Sequence, residues 1–211
     1  MRSPEQVSGI IAALENEYPQ ALCALEYDKD YELLFSVRLS AQCTDARVNM
    51  VTPALFARFS TLEAFAEADV TEVEEYIHSC GFYHGKARDI VLAAQMLLSD
   101  YGGKVPGTME ELLKLPGVGR KTANLILGDI FQAPGSVVVD THCIRISNRL
   151  GLVDNLKEPE KIETALRKLL PPEKSSDFCH RIVLHGRAIC DARKPKCESC
   201  CCAQYCQYYS G

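Results

Sequence analysis

In Leu115-Pro116-Gly117-Val118-Gly119-Arg120-Lys121, two cations fall on the first turn of a predicted helix. The positive end of the peptide dipole favours Asp or Glu there. The glycines leave main-chain N–H groups uncovered at that helix N-terminus, an arrangement that binds anions and lets a nucleic-acid phosphate approach bare backbone. The same string also reads as an ordinary link between helices in which glycine only supplies positive φ. A lysine here, beside Arg120 and partly buried, is expected to have a depressed pKa. A partly neutral lysine is a nucleophile able to form a Schiff base with an aldehyde-level carbon, and a lysine that only touches phosphate is the alternative. Asp140, after Val137-Val138-Val139, is the second candidate. Its carboxylate can support developing positive charge or take a proton, or it can cap the helix beginning near Thr141.

The other concentration of chemistry is cysteine. Seven of the eleven cysteines lie in the last 33 residues, and Cys190, Cys197, Cys200 and Cys206 are separated by six, two and five residues. Four thiolates suit tetrahedral zinc or a 4Fe–4S cluster. Zinc modules usually pair two short spacings across a longer gap, whereas one compact run of four can wrap a cubane. Cys201 and Cys202 are extra thiols beside Cys200, and local spacing alone does not choose among the three. With no export signal, structural disulfides are disfavoured and ligation leads. Arg193, Lys194 and Lys196 lie between the first two cysteines with only Asp191 opposing. They read as a phosphate contact on an anchored loop, or as a solvated charge run.

Helices must position these groups. Ser3-Pro4-Glu5-Gln6 supplies an N-cap, a first-turn proline and a capping-box glutamine for a helix ending near Tyr18-Pro19. Apolar residues recur at helical spacing over residues 30–59, with Thr44 and Pro53 as candidate breaks or starts. Residues 71–103 read as two helices around a Gly81–Gly85 turn, the second stopped by Gly102-Gly103. Thr108-Met109-Glu110-Glu111 is a capping box leading into Leu112, Leu113 and Leu115, and Pro116, Gly117 and Gly119 break that helix. The next one, from Arg120, carries Thr122, Ala123, Ile126, Leu127 and Ile130 on one face and ends before Ala133-Pro134-Gly135. Val137–Val139 is the lone strand-like run and is too short for a sheet. The class is all-α.

A hydrophobic content of 47% and a charged content of 24% are ordinary for a globular protein. No apolar run reaches the roughly 18 residues of a membrane helix, and no signal segment opens the chain, so the expected location is the cytosol. The net charge of −5 argues against a nonspecific nucleic-acid coat. It divides into −9 for residues 1–100 and +4 for residues 101–211, which leaves room for a basic face on an acidic body, although on this split alone a solvated surface of uneven charge is the preferred reading.

Five blocks in order, LSAQCTDARVN (Leu39–Asn49), GFYHGKA (Gly81–Ala87), LPGVGRKTA (Leu115–Ala123), VDTHCIRISNRLGL (Val139–Leu152) and LHGRAIC (Leu184–Cys190), resemble the endonuclease III family of DNA glycosylases. The resemblance covers nearly the whole chain. It implies two helical domains flanking a DNA-binding cleft. Residues 22–133 form a six-helix domain with the helix-hairpin-helix, and residues 1–21 with 134–211 form the iron–sulfur cluster domain. The implied activity is that of a bifunctional DNA glycosylase and AP lyase of base excision repair. It removes oxidised or damaged pyrimidines from double-stranded DNA and acts as a cytoplasmic, nucleoid-associated monomer.

The resemblance also assigns residues. Lys121 occupies the position of the lysine that attacks the sugar C1′, and Asp140 that of the catalytic aspartate. Cys190, Cys197, Cys200 and Cys206 become ligands of a 4Fe–4S cluster, the family spacing selecting Cys200 over its neighbours. Gln42 matches a residue that fills the hole left by a flipped nucleotide. Phe82 stands where bacterial members often place a leucine wedge. Gly117, Val118, Gly119, Arg120, Arg193, Lys194 and Lys196 are implied DNA contacts, and His142 receives no chemical role. Adenine-mispair glycosylases typically carry serine in place of Lys121. That reading and a noncatalytic helix-hairpin-helix DNA-binding protein are the alternatives.

Overall fold

A computed structural model describes residues 2–210; residues 1 and 211, the outer bounds of the expected cluster domain, lie outside it. Every regular element among the described residues is helical. None of these helices is long and apolar enough to cross a membrane. The chain divides into two units, Cys23–Phe131 and the segments on either side of it, up to Leu22 and from Gln132.

The first helix, α1 (Pro4–Glu17), starts as its sequence dictates. The Ser3 hydroxyl accepts from Gln6 N–H at 3.3 Å, and the Gln6 side chain accepts from Ser3 N–H at 3.1 Å. Val7, Ile10, Ile11 and Leu14 form its buried face.

The central unit holds α2 (Asp30–Leu39), α3 (Asp45–Arg58), α4 (Leu62–Ala66), α5 (Val70–Ile77), a 3₁₀ turn (His78–Cys80), α6 (Tyr83–Tyr101), α7 (Met109–Leu112) and α8 (Arg120–Asp129). Helices α4 and α5 pack on α6, and α2 packs against α3, α6 and α8. Phe35 and Phe65 meet edge to face at the centre, 5.0 Å between ring centroids, with Phe59 5.2 Å from Phe65. Two of the predicted breaks fall elsewhere. Thr44 caps α3 as expected, but Pro53 sits inside that helix on its exposed side. The missing hydrogen bond there costs about 3 kcal/mol. Burying Val48 and Leu55 from the same helix, at roughly 1.5–3 kcal/mol each, outweighs it. Gly85 is likewise helical, so the turn before α6 narrows to Gly81-Phe82.

The hairpin joins α7 to α8. The Thr108 hydroxyl accepts from Glu111 N–H at 3.3 Å, and α8 buries Ala123, Ile126 and Leu127. Gly117 has φ +73°, and a Cβ placed there meets both the Arg38 guanidinium and the Asp89 carboxylate. Arg38 Nε donates to Asp89 Oδ2 at 2.7 Å, so an ion pair between α2 and α6 is packed directly beneath the glycine turn.

The flanking unit adds α9 (Thr141–Leu150), α10 (Pro159–Leu169), α11 (Ser175–Ala188) and α12 (Gln207–Ser210), with 3₁₀ turns at Pro172–Lys174, Cys197–Ser199 and Ala203–Tyr205. Helix α11 packs on α1 and α9. Buried Arg181 donates from Nε to the Tyr18 carbonyl at 3.0 Å, tying α11 to the end of α1. Val137, Val138 and Val139 are buried without a partner strand among the described residues, and Val138 N–H donates to Cys179 Sγ at 3.3 Å instead. The apolar run is irregular and its three side chains lie in the core.

The Gly117 turn gives a direct test. Gly117→Ala forces an L-residue into positive φ against a fixed ion pair, at a cost of about 1–3 kcal/mol. A drop of that size in a urea unfolding midpoint is expected, whereas Gly119→Ala, where a Cβ meets open space, shifts it far less.

Candidate nucleic-acid interface and thiol centre

At the hairpin the N-cap of α8 is Gly119, in extended conformation, and no side chain caps the first turn. Gly117, Gly119, Arg120 and Lys121 are all exposed, and Val118 is half-buried. A strip of bare main chain therefore lies beside two cations, which suits a phosphate oxygen. The expected partial burial of Lys121 is not found. It precedes Ala123 on the buried face by two residues, or about 200° around a helix of 3.6 residues per turn, and so projects outward.

Asp140 is the N-cap of α9, its Oδ1 accepting from Cys143 N–H at 2.7 Å. The capping reading therefore holds, and the cap fixes the carboxylate's orientation. His142 is structural: its Nδ1 lies 3.0 Å from Arg145 Nη2, and its ring packs on the backbone of Gly186, where a Cβ has no room. Lys121 belongs to the central unit and Asp140 to the flanking one.

Gln42 and Phe82, 40 residues apart in sequence, come together. Both are exposed and line one groove with Arg38, Ala41, His84 and Lys86. Both also hold left-handed backbone, with φ 54° and 49°. Non-glycine residues take that conformation only where the surrounding structure imposes it, and such residues cluster at functional sites.

In the cysteine loop the neighbouring thiols fall into two groups. Cys190, Cys197, Cys200 and Cys206 line a single cavity with Arg149 and Tyr208, and neither Cys201 nor Cys202 contributes to its wall. Cys202 is fully buried elsewhere. Hydrogen bonds from the Cys201 and Cys202 thiols, followed by one involving His185, hold the Cys200 thiol well below the ordinary cysteine range. Cys201 is pushed up to about 11, first by its bond to Cys200. Among the described residues no three His, Cys, Asp or Glu side chains close on a single point where they would hold one ion. The four thiols share the wall of that cavity with Arg149, Lys196 and Tyr208.

Sequence reasoning missed the residues that shape this loop. Arg145 Nε and Nη2 donate to the Cys190 carbonyl at 3.1 and 3.0 Å. One turn on, Arg149 donates to the carbonyls of Asp191 and Ala192 at 2.7 and 2.9 Å and to Cys190 Sγ at 3.3 Å. The i, i+4 spacing of the two arginines on α9 was the available signal. Asp191 accepts from the N–H groups of Arg193 and Lys194 at 2.8 and 3.0 Å, turning the loop so that both side chains are exposed. These bonds also hold the Asp191 carboxyl below its usual range. Lys196 is exposed but donates to the Ala188 carbonyl at 3.1 Å, so part of its capacity is spent within the loop.

Comparison with known proteins agrees with this layout. Residues 35–172 match the HhH-GPD superfamily of base excision DNA repair proteins. The chain is 46% identical to an endonuclease III from Synechocystis over 96% of its own length and 92% of the relative's. It is 40% identical to the Escherichia coli endonuclease III, covering 94% and 93% of the two chains. Its fold superposes on a trapped endonuclease III–DNA covalent intermediate with a TM-score of 0.93 at 39% identity, covering 100% of this chain and 98% of the other. A relative of this similarity, matched along nearly its whole length, carries the same architecture, and the chain belongs to the endonuclease III family within the HhH-GPD superfamily.

Proposed function

We infer that the chain is a bifunctional DNA glycosylase and AP lyase of base excision repair, acting on damaged bases in double-stranded DNA. The observation that carries this reading is an exposed lysine on the first turn of the hairpin's second helix, beside uncovered glycine backbone. The damaged base leaves the stack. Lys121 Nζ attacks C1′ as the glycosidic C–N bond breaks, and the base departs with the electron pair and takes up a proton. Asp140 supports the positive charge on the sugar and relays the proton lost from the lysine. The sugar ring opens to a Schiff base. Loss of a C2′ proton then breaks the C3′–O bond, which cuts the strand 3′ to the lesion, and water releases Lys121.

The further roles extend this reading. Gln42 fills the vacated position and Phe82 wedges the opposite strand. Gly117, Val118, Gly119, Arg120, Arg193, Lys194 and Lys196 hold phosphates. The hairpin unit and the flanking cysteine-bearing unit serve as the two domains. The preferred lesions are oxidised or damaged pyrimidines. The proposed setting is the cytoplasm, at the nucleoid where the substrate lies.

Cys190, Cys197, Cys200 and Cys206 fit a 4Fe–4S cluster, since four thiols lining one cavity would supply one thiolate for each of its four irons. Such a cluster supplies a rigid anchor for the basic loop and takes no part in bond cleavage.

Three outcomes are expected. Borohydride reduction on abasic duplex DNA gives a covalent adduct that disappears in Lys121→Ala, and a persisting adduct would refute the assignment. Asp140→Asn keeps the cap, because Asn and Asp are equivalent there, yet slows excision by roughly 10²–10⁴-fold. An unchanged single-turnover rate would leave Asp140 with capping alone. Iron content and visible absorbance collapse in Cys200→Ser and survive in Cys201→Ser, and the reverse pattern would reassign the third ligand.

A further inference from the structure

Lys86 is 1% exposed, whereas Lys104, Lys114 and Lys121 are solvated. A buried ammonium ordinarily pairs with a carboxylate. Lys86 instead donates from Nζ to two main-chain carbonyls, Leu39 at 2.8 Å and Cys80 at 2.9 Å. Leu39 is the last residue of α2 and Cys80 the last of the 3₁₀ turn before α6. Both carbonyls stand at helix ends, where orphaned oxygens carry the negative end of the peptide dipole and a cation satisfies them.

Each carbonyl stands just ahead of a residue in left-handed backbone. Gln42 lies three residues beyond Leu39, and Phe82 two residues beyond Cys80. Lys86 also reaches the second turn through its own main chain, its N–H donating to the Phe82 carbonyl at 3.2 Å. One residue therefore grips the roots of two separate turns, and the tips of those turns share the groove that Lys86 lines.

We propose that Lys86 is a positioning residue that holds Gln42 and Phe82 in a common register, so that filling the vacated stack and wedging the opposite strand occur together. The proposal rests on the glycosylase reading and adds to it a residue that touches neither DNA nor the reacting atoms.

The test compares holoenzymes on two substrates. One is a base lesion in a duplex, which must be extruded. The other is an abasic site in single-stranded DNA, which has no opposite strand to wedge. In Lys86→Met the ratio of duplex excision to single-strand β-elimination falls by at least about tenfold, as expected for misplaced positioning groups. The fluorescence rise of a 2-aminopurine beside the lesion falls with it. Adding Lys86→Met to Gln42→Ala/Phe82→Ala costs less than about twofold more, because all three act through one event. Lys86→Arg, which keeps N–H donors, recovers part of the ratio, and it replaces Lys86→Met in the comparison if circular dichroism shows that variant unfolded. Equal losses on both substrates, an unchanged ratio, or full additivity with the double variant would overturn the proposal. A wild type that leaves no adduct on abasic DNA overturns the glycosylase reading itself, which separates the two failures.

Discussion

The ion pair of Arg38 with Asp89 is the contact on which the hairpin depends. A turn that offers bare main chain to a phosphate cannot be held by its own side chains, because the glycines have none and their exposure is the point. It has to be supported from beneath. Arg38 on α2 and Asp89 on α6 pack into the space a Cβ would take at Gly117, so the turn rests on two helices of the core. The pair is partly exposed, each side chain at 24%, and contributes on the order of 1 kcal/mol or less to stability. Its importance is positional. Arg38 also lines the groove of Gln42 and Phe82, which links the hairpin and the two turns through one side chain.

The same device recurs wherever a loop has to be fixed for a purpose. Lys86 binds the carbonyls of Leu39 and Cys80, Arg145 that of Cys190, Arg149 those of Asp191 and Ala192, and Arg181 that of Tyr18. Cations are well suited to this task, since one carries several donors and helix-terminal carbonyls otherwise lack partners. In the second half of the chain, which is net basic, part of the positive charge is thus consumed inside the protein. Arg193 and Lys194 remain exposed, and they stay exposed because α9 holds the loop's main chain. The positive charge that composition counts in one sum is thus divided between internal and external cations.

Much of the site was legible in the residues, because it is built from local signals. Gly117 and Gly119 announce a turn, Thr108 and Glu111 cap the helix before it, and the apolar spacing after Arg120 belongs to a helix. The misreadings share a cause, which is that tertiary packing overrides a local rule. Pro53 reads as a break and is tolerated because burial on the opposite side of α3 outweighs one lost hydrogen bond. Gly85 reads as part of a turn and is helical because the turn is completed at Gly81-Phe82. Val137–Val139, by contrast, reads as too short for a sheet and is indeed a buried run without a partner strand among the described residues, the Val138 N–H finding the Cys179 thiol. Lys121 reads as partly buried and is exposed, since burial belongs to the opposite face of α8.

By itself the sequence determined the all-helical class, the hairpin, the capping aspartate and the set of candidate thiols, because each depends on residues within a turn or two of one another. Tertiary structure added that the four cysteines chosen by the family spacing line one cavity, and it alone decided which cations are spent on carbonyls and that Gln42 and Phe82 line one groove. Those outcomes depend on contacts between residues far apart in the chain, and the local pattern that makes a helix carries no record of what its ends will touch.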